Sequence, residues 1–293
     1  MMTERTDPPV AVITGASSGI GLVTAKSLAA QGWRIIAHGR DPDRCKSAEA
    51  EISAVAKPGV PVEMIRADLS LVSDSVQLAK EIGFRTGRID ALINNAGGAP
   101  KEMVITVEGN EATFTSNHLG HFVLTSRLLP LLERSARSNE PGMTRILSVS
   151  SSAHEVAPGL DWDDLQMMRN FIPIRAYCNA KLANILFTRS LAKRLEGTGI
   201  VVHAMHPGAV DTNFVNRADE GTQKYLRNVA LLSAEQGADT LIWLATAAEP
   251  ANTTGQYFHE RAITKTTAAA EDMESGERLW RESEKLVAAA LGT

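Results

Sequence analysis

Short apolar stretches alternate with longer amphipathic stretches along nearly the whole chain. Most of the short stretches are continuous apolar runs, without the apolar–polar alternation of a half-exposed strand. Continuous runs are typical of strands in a parallel sheet that is covered on both faces. Seven strands are predicted: Val10–Thr14, Arg34–His38, Val62–Arg66, Ala91–Asn94, Arg145–Val149, Val201–His206 and Gly255–Phe258.

Helical periodicity fills the intervals between these strands. Asp41 and Pro42 are a typical N-cap and first-turn proline, so a helix should begin there and reach about Ala56. Ser73 or Asp74 is the expected cap of the next helix. The other predicted helices are one from about Thr113 with a kink at Pro130, then Arg175–Glu196, Ala234–Ala247 and Met273–Leu291.

The alternation of strands and helices predicts an α/β fold. We expect a Rossmann-type doubly wound sheet of seven mostly parallel strands with helices on both faces. No linker or internal repeat divides the sequence, so a single domain is expected over residues 1–293, with a flexible N-terminus at 1–9. Two long stretches without an assigned element, 153–174 and 207–232, each begin near the carboxyl end of a strand. They are therefore predicted to be loops on the substrate side of the sheet.

Composition narrows the class of protein. The 293 residues include 30 basic and 34 acidic side chains, and a net charge of −4 gives no reason to expect nucleic acid or an anionic membrane as a partner. Two cysteines cannot build a disulfide framework. His118 and His121 have the spacing of a metal-binding pair, but no carboxylate or cysteine joins them, so packing in the core is preferred and no metal is expected. Without an apolar run long enough to span a membrane, the expected location is the cytoplasm.

The first predicted strand runs into a glycine-rich turn that opens a helix. Glycines let the main chain approach a pyrophosphate closely, and the helix N-terminus adds N–H groups and the positive end of a dipole. A plain glycine turn is the alternative, but the strand–turn–helix context favours nucleotide binding. The predicted cofactor residues of this loop are Gly15, Ser17, Ser18, Gly19, Ile20 and Gly21.

The GxxxGxG spacing of this loop, with NHLGHF, VSSSAH and YCNAK in that order, resembles the short-chain dehydrogenase/reductase family. NHLGHF and HPGAVDT are most similar to its retinol-dehydrogenase-like branch, which includes WW-domain-oxidoreductase relatives. The resemblance implies a catalytic set of Asn117, Ser151, Tyr177 and Lys181. It also implies cofactor contacts at Asp68, Leu69, Asn95, Ala96, Gly97, Tyr177, Lys181, Pro207, Gly208, Val210 and Thr212.

The chemistry of Tyr177 and Lys181 can be argued without the resemblance. Their spacing of four puts both side chains on one face of a helix. A tyrosine with a pKa of about 10 is a poor acid or base at neutral pH, and a nearby ammonium is expected to lower that pKa. Ser151, at the end of the fifth strand, can donate a hydrogen bond to the same substrate oxygen. Strand alternation lets only one or two of the serines at 150–152 face the site, so the choice of Ser151 stays open by one residue.

The end of the second strand indicates which dinucleotide binds. An NAD-dependent enzyme places an acidic side chain there, whereas this chain has His38, Gly39 and Arg40. Arg40 can bind a 2′-phosphate through its guanidinium fork, and Ser17 or His38 is available as a further donor. The alternative is a solvated arginine. NADP(H) is the favoured cofactor.

These observations, together with the resemblance, predict an NADP(H)-dependent oxidoreductase that interconverts a carbonyl and an alcohol. Tyr177 would be the acid/base, Ser151 would polarise the oxygen, and Lys181 would tune Tyr177 and contact the cofactor ribose. The resemblance implies that Asn117 supports a proton relay. The alternatives are a carbon–carbon double-bond reductase of the same fold and a non-catalytic nucleotide-binding regulatory protein.

The expected partner is a small carbonyl or alcohol compound, and a homo-oligomer is compatible with the sequence. Apolar residues from Leu160 to Ile172 favour a bulky apolar substrate. The same residues could instead pack their loop onto the domain.

Overall fold

An eight-stranded sheet forms the centre of the protein. The computed structural model describes residues 7–99, 101–211, 221, 223, 224 and 229–293. The strands are β1 (Val10–Ile13), β2 (Arg34–Gly39), β3 (Val62–Arg66), β4 (Ala91–Asn94), β5 (Thr144–Val149), β6 (Ile200–Met205), β7 (Gln256–His259) and β8 (Ala262–Ile263). They lie in the order β3-β2-β1-β4-β5-β6-β7-β8, and all neighbours are parallel except β7 and β8. This order is that of a doubly wound Rossmann sheet, so the predicted fold class is confirmed.

Helices cover both faces of the sheet, as predicted. They are α1 (Gly19–Ala30), α2 (Pro42–Val55), α3 (Val72–Arg85), α4 (Ala112–Phe114), α5 (Gly120–Ala136), α6 (Pro173–Arg194), α7 (Ala234–Thr246), α8 (Ala268–Glu271) and α9 (Met273–Leu291). A π-helical turn, Thr115–Leu119, joins α4 to α5. One buried cluster lies beneath α1, α2 and α7, and a second lies beneath α3, α5 and α6 on the opposite face. The helix α9 packs on the outside of α6.

The sheet has one strand more than the seven predicted. The additional strand, β8, contains only Ala262 and Ile263 and pairs with β7 at the edge of the sheet. Both residues are exposed, so the strand buries little apolar surface. The hydrophobic pattern therefore carried no signal for it.

The start of α3 also differs from the prediction. Neither Ser73 nor Asp74 caps this helix. Instead, the Glu108 carboxylate accepts hydrogen bonds from the main-chain N–H groups of Val72 at 2.5 Å and Ser73 at 3.0 Å. Glu108 follows β4 and is 35 residues away from Ser73, so no local pattern could identify this cap. At α2, in contrast, the predicted cap is present.

The first of the two long stretches, 153–174, packs against the domain over much of its length. Six of its apolar side chains belong to the core cluster on the α6 side or pack against it: Ala153, Ala157, Leu160, Trp162, Leu165 and Ile174. The Arg278 guanidinium lies over the Trp162 ring, 4.7 Å from its centroid. The Gln166 side-chain oxygen accepts a hydrogen bond at 2.7 Å from the main-chain N–H of the residue before α4. These contacts fix the loop to the domain, as in the second of the two interpretations of the sequence.

The second long stretch, 207–232, is described mainly at its two ends, which pair with each other. Leu232 donates its main-chain N–H to the Ala209 carbonyl at 2.7 Å, and Asp211 donates to the Leu232 carbonyl at 2.9 Å. This pairing holds the beginning of the stretch next to the start of α7. Thr212, a predicted cofactor residue, lies outside the described residues.

Candidate active site

The crevice between β1 and β4, where the strand order reverses, is held by contacts between two loops. The Thr14 hydroxyl, after β1, accepts hydrogen bonds from the N–H groups of Asn95 at 2.9 Å and Ala96 at 3.0 Å, after β4. The Asn95 side-chain amide donates to the Thr14 carbonyl at 2.8 Å. Both loops predicted to bind the cofactor are thus fixed to each other where open α/β sheets bind their ligands.

The main chain of the glycine-rich loop packs closely against its neighbours, and the start of α1 leaves N–H groups available. Gly15 has a φ of +67°, and a Cβ there would lie 2.8 Å from the Ala96 Cα. A Cβ at Gly21 would lie 2.5 Å from the Gly15 carbonyl oxygen. The side chain of Ser18, the residue before α1, makes no cap hydrogen bond with a described residue, and the first turn of α1 has no acidic side chain. The N–H groups at this helix start suit the pyrophosphate of a dinucleotide.

The carboxyl end of β2 places Arg40 at the surface. Gly39 packs so closely that a Cβ would lie 2.6 Å from the Cys45 sulfur and 2.9 Å from the Ser17 Cβ. Arg40 is 63% exposed, and its Nη1 lies 3.5 Å from the Asp68 Oδ2. Ser17, Arg40 and Asp68 thus surround the region where the adenosine ribose of a dinucleotide would lie in this fold. Beside them, the Leu69 side chain is buried in the core.

His38 does not add a donor beside Arg40, contrary to one of the two expected options. Its Nδ1 accepts from the Gly15 N–H at 3.4 Å, and its Nε2 lies 3.0 Å from the Ala67 carbonyl oxygen, to which it must donate. Both ring nitrogens are therefore engaged inside the protein. Asp41 caps α2 as predicted, accepting from the Arg44 N–H at 3.0 Å, and this bond holds the pKa of the Asp41 carboxyl below its usual value.

Tyr177 and Lys181 lie one turn apart on α6. The Lys181 Nζ is 5.3 Å from the centroid of the Tyr177 ring and donates to the Val149 carbonyl oxygen, at the end of β5, at 3.0 Å. The Lys181 side chain is buried, and burial lowers the pKa of its ammonium to about 8. A group with this pKa can change its charge close to physiological pH.

Burial raises the pKa of the Tyr177 phenol, and a hydrogen bond with the Ser151 side chain opposes this change. The expectation that Lys181 lowers this pKa is not met in this structure. The reason is geometric, since the ammonium lies beside the ring and donates to Val149. The phenol is therefore protonated at neutral pH, and its raised pKa makes it a weaker acid than an exposed tyrosine.

The structure distinguishes the three consecutive serines. The Ser150 hydroxyl is buried and donates to the Lys181 carbonyl oxygen at 2.7 Å, away from the phenol. Ser152 is exposed and begins a 3₁₀ turn, Ser152–Val156. Ser151 is the serine whose side chain bonds with Tyr177, and it also accepts from the Ala153 N–H at 3.1 Å. Among the three, Ser151 is therefore the one adjacent to the phenol.

Asn117 lies in the π-helical turn and is buried. Its side-chain amide donates to the carbonyl oxygens of Gly98 at 3.0 Å and Thr113 at 2.9 Å, and its Oδ1 accepts from the Gly98 N–H at 3.2 Å. A Cβ on Gly97 would lie 2.4 Å from this Oδ1 and 3.4 Å from the Lys181 Nζ. Asn117 and Lys181 are thus both next to the loop after β4, at the end of the sheet where Ser151 and Tyr177 also lie.

The segment after β6 closes the site from the other side. Gly208, with a φ of +85°, follows Pro207 and packs against Leu232. Val210 is buried, and a Cβ on Gly237 in α7 would lie 2.5 Å from its side chain and 3.3 Å from that of Ile20. Val210 and Ile20 therefore approach the same point, so this segment and the glycine-rich loop are neighbours.

Sequence reasoning missed two residues that organise the site, Thr14 and His121. Thr14 precedes the first glycine, and its hydroxyl joins the two cofactor loops. His121 bonds to Thr14 and to Asn117, and its position four residues after Asn117 was a signal that it shares a helix face with that residue.

An open groove of about 420 Å³, lined by Arg189, Lys193 and Gln256 among others, contains none of the predicted site residues.

The sheet order and the phosphate cradle at its switch point define a Rossmann-type nucleotide-binding protein. Residues 9–223 match the family model described as short chain dehydrogenase, and the chain belongs to this family. It is thus an oxidoreductase that acts on alcohols or carbonyl compounds, in a family whose solved members include complexes with NAD(P).

Curated relatives and solved structures agree with this assignment. Human retinol dehydrogenase 13 is 37% identical over 284 residues, covering 94% of this chain and 83% of the relative. Human retinol dehydrogenase 12 is 36% identical over 279 residues, covering 95% and 86%. A crystal structure of an uncharacterised protein from Mycobacterium paratuberculosis has a TM-score of 0.74 and 30% identity, covering 96% of this chain and 95% of that one. The Pseudomonas aeruginosa RhlG/NADP complex has a TM-score of 0.68 and 28% identity, covering 86% and 94%.

In the described part of the chain, no helix combines the length and apolar character needed to cross a bilayer. Among the same residues, no three histidine, cysteine or acidic side chains come together as a metal site would require.

Proposed function

We propose that the protein is an NADP(H)-dependent oxidoreductase that interconverts a carbonyl and an alcohol, with Tyr177 as acid/base. The observation that carries this proposal is the meeting of Ser151 and Lys181 with the Tyr177 phenol at the same sheet edge as the glycine-rich loop. The residues around that loop fit a dinucleotide, because the N–H groups at the start of α1 receive no side-chain cap from Ser18 and no acidic residue stands in the first turn. When bound, such a cofactor supplies the hydride acceptor or donor.

The side chains divide the remaining chemistry. In carbonyl reduction, the Ser151 hydroxyl donates a hydrogen bond that polarises the carbonyl oxygen. The Tyr177 phenol, whose pKa is raised by burial, donates the proton that converts this oxygen to a hydroxyl. In alcohol oxidation, the same phenol must first lose its proton, and the hydrogen bond with Ser151 favours this step because it lowers the pKa of the phenol against the effect of burial.

Lys181 and Asn117 support this proton transfer. The Lys181 ammonium is desolvated, and its pKa of about 8 makes it able to exchange a proton near neutral pH. The Asn117 Oδ1 and the Lys181 Nζ both lie close to the position that a Cβ on Gly97 would take, and this proximity is in line with a relay role for Asn117.

The preference for NADP(H) is proposed from the carboxyl end of β2. The Arg40 guanidinium is exposed and has only a surface ion pair with Asp68, so it is available to a 2′-phosphate. Gly39 contributes no carboxylate that would accept from the ribose hydroxyls, and Asp41 is directed to the start of α2. Ser17 is a second available donor.

We also propose an apolar substrate, but fewer residues support this preference than the sequence suggested. Leu160 is buried in the core, and Trp162 and Leu165 pack against it with part of their surface exposed. Val156 and Ile172, in the same stretch, are exposed. We therefore base the preference for apolar carbonyl compounds on these two side chains and not on the whole stretch.

The proposal is tested by incubating the purified protein with NADPH or NADP and a panel of ketones, aldehydes, unsaturated carbonyl compounds and alcohols. Cofactor consumption with formation of an alcohol or carbonyl product is expected. A saturated product with its carbonyl intact would instead identify a carbon–carbon double-bond reductase. Tight cofactor binding without turnover of any compound would identify a nucleotide-binding regulatory protein.

A further inference from the structure

His121 has no role in the mechanism above, yet both of its ring nitrogens contact the site. The residue is buried at the start of α5, four positions after Asn117. Its Nδ1 lies 3.1 Å from the Asn117 main-chain carbonyl oxygen. Its Nε2 lies 2.9 Å from the Thr14 hydroxyl oxygen. One imidazole thus spans the distance between a predicted catalytic residue and the loop of β1.

The direction of both hydrogen bonds follows from the partners. A carbonyl oxygen only accepts, so the Nδ1 of His121 carries the proton and donates to Asn117. The Thr14 hydroxyl already accepts from two main-chain N–H groups, which occupy its lone pairs, so its own proton is donated. The nearer acceptor is the Nε2 of His121 at 2.9 Å, compared with the Ile93 carbonyl at 3.4 Å. Both arguments give a neutral ring with its proton on Nδ1.

The π-helical turn explains why a side chain can reach the Asn117 carbonyl. In an α-helix, that oxygen accepts from the main-chain N–H four residues later. Here the turn is wound more loosely, as the bond from the Gly120 N–H to the Thr115 carbonyl shows. Turns of this kind occur often at functional sites. The imidazole of residue 121 supplies the donor.

The contacts form a closed circuit. From Asn117 it runs through His121 to the Thr14 hydroxyl, and from there to the N–H groups that begin the loop after β4. It returns through Gly98, which exchanges two hydrogen bonds with the Asn117 side chain. Asn117 is therefore fixed at its main chain by His121 and at its side chain by the cofactor loop.

We propose that His121 is a positioning residue that couples the catalytic asparagine to the dinucleotide-binding loop. The proposal rests on the proposed function for its catalytic half. The Nδ1 bond fixes the position of Asn117 for proton transfer, and the Nε2 bond orients the Thr14 hydroxyl that joins the two cofactor loops. Loss of the first bond should therefore lower kcat, and loss of the second should weaken cofactor binding.

Two substitutions separate the halves. In His121→Gln, the side-chain amide can replace Nε2 as acceptor for Thr14, but the donor to Asn117 is lost. We expect kcat to fall about tenfold, as for the loss of one hydrogen bond that is realised in the reaction, with little change in cofactor Kd. The solvent deuterium isotope effect on kcat should increase, because proton transfer then limits the rate more strongly.

In His121→Asn, the shorter amide can keep the donor to Asn117 but does not reach Thr14. Here cofactor Kd should rise about fivefold with a smaller change in kcat.

His118 provides the matched control. It lies in the same π-helical turn and is equally buried, but its Nε2 contacts the Ser283 hydroxyl at 2.9 Å, toward α9. His118→Gln and His118→Asn should lower the melting temperature as the His121 variants do. They should leave kcat, cofactor Kd and the isotope effect close to wild type.

The outcomes also distinguish this proposal from the proposed function. If the wild type turns over carbonyl compounds while the variants at residues 118 and 121 behave alike, the positioning role is wrong and the proposed function stands. If the wild type shows no turnover, the proposed function fails, and cofactor Kd of His121→Asn against His118→Asn still decides the binding half. Equal Kd values in that comparison would overturn it.

Discussion

The two ends of the proposed dinucleotide site are built differently. At the catalytic end, Asn117 and Lys181 are buried, and each makes hydrogen bonds to main-chain atoms. At the adenosine end, Arg40 is 63% exposed and its ion pair with Asp68 spans 3.5 Å. Exposed pairs of this kind contribute about 0–1 kcal/mol to stability, whereas a buried polar group that loses its partner costs about 1–3 kcal/mol. Changes at the catalytic end should therefore affect both reaction and stability, whereas a change of the exposed Arg40 should affect the choice of cofactor alone.

The largest effect is expected at Tyr177. Tyr177→Phe keeps the ring and removes the exchangeable proton, so turnover should fall by at least about 10²–10⁴-fold while cofactor affinity is kept. Steady-state kinetics and cofactor titration measure the two quantities. Tyr257→Phe is a matched control, because the Tyr257 hydroxyl is also buried but has no hydrogen-bond partner among the described residues. Near-normal turnover of Tyr177→Phe would remove the phenol from the mechanism.

Lys181→Met should lower turnover and change how stability depends on pH. The folded Lys181 releases its proton near a pKa of about 8, and the unfolded lysine does so near 10.5. Between these values the unfolded state holds more protons, so the free energy of unfolding of the wild type should rise with pH. The rise should amount to about 1–3 kcal/mol and be absent in Lys181→Met. Chemical denaturation from pH 7 to 10.5 measures it.

Lys193→Met is the control for that experiment, since Lys193 lies on the same helix but is exposed. It should keep the wild-type slope and the wild-type turnover. If the free energy of unfolding depends on pH in the same way for wild type and Lys181→Met, folding does not lower the pKa of the Lys181 ammonium.

Arg40→Ala is expected to separate cofactor choice from stability. A charge-assisted hydrogen bond to a 2′-phosphate contributes about 1.5–3 kcal/mol, so NADPH affinity should fall roughly ten- to hundredfold, with NADH affinity nearly unchanged. The melting temperature should hardly move. Arg44→Ala removes a neighbouring, partly exposed guanidinium beside Asp41 and should change neither affinity. A wild-type preference for NADH would contradict our interpretation of the end of β2.

The smallest effect is expected at Glu108, which supports the connection after β3 without facing either end of the site. Glu108→Gln keeps the shape of the side chain and removes the charge that accepts from the N–H groups of Val72 and Ser73. Loss of a helix cap typically costs about 0.5–2 kcal/mol of unfolding free energy. Cofactor affinity should stay at the wild-type value, and a large loss of affinity would mean that the start of α3 belongs to the binding site.

Most of the sheet could be predicted because each central strand is a continuous apolar run between turn residues. Long-range pairing is what sequence reasoning could not supply. The cap of α3 comes from Glu108, and β8 is a pair of exposed residues that only its neighbour β7 makes into a strand. Apolar residues such as Leu160 and Trp162 could face a substrate or the core with the same sequence pattern, and only packing decides between the two.

The site shows the same division. Glycine spacing and the order of the motifs pointed to the right elements, since these are local features of a strand end or a helix face. The pKa of Tyr177 was predicted in the wrong direction, because the effect of burial depends on surroundings that come from several elements. The sequence favoured Ser151 and left its neighbours open, because alternation along the strand does not fix the choice; in the structure it is the Ser151 side chain that bonds with Tyr177.

The close packing at Gly39 has a consequence for protein engineering. The usual way to convert such a site to NAD is to install a carboxylate at the end of the second strand, and here the first atom of any new side chain would meet the Cys45 sulfur and the Ser17 Cβ. A single substitution at this position therefore disrupts the support of the glycine-rich loop before it can offer an acceptor to a ribose. A designer would have to make space first, by replacing Cys45 and Ser17 with smaller residues, and only then exchange Gly39 and Arg40. If the proposed preference for NADP(H) holds, its reversal would involve these four residues together, and we expect variants changed at Gly39 alone to lose stability.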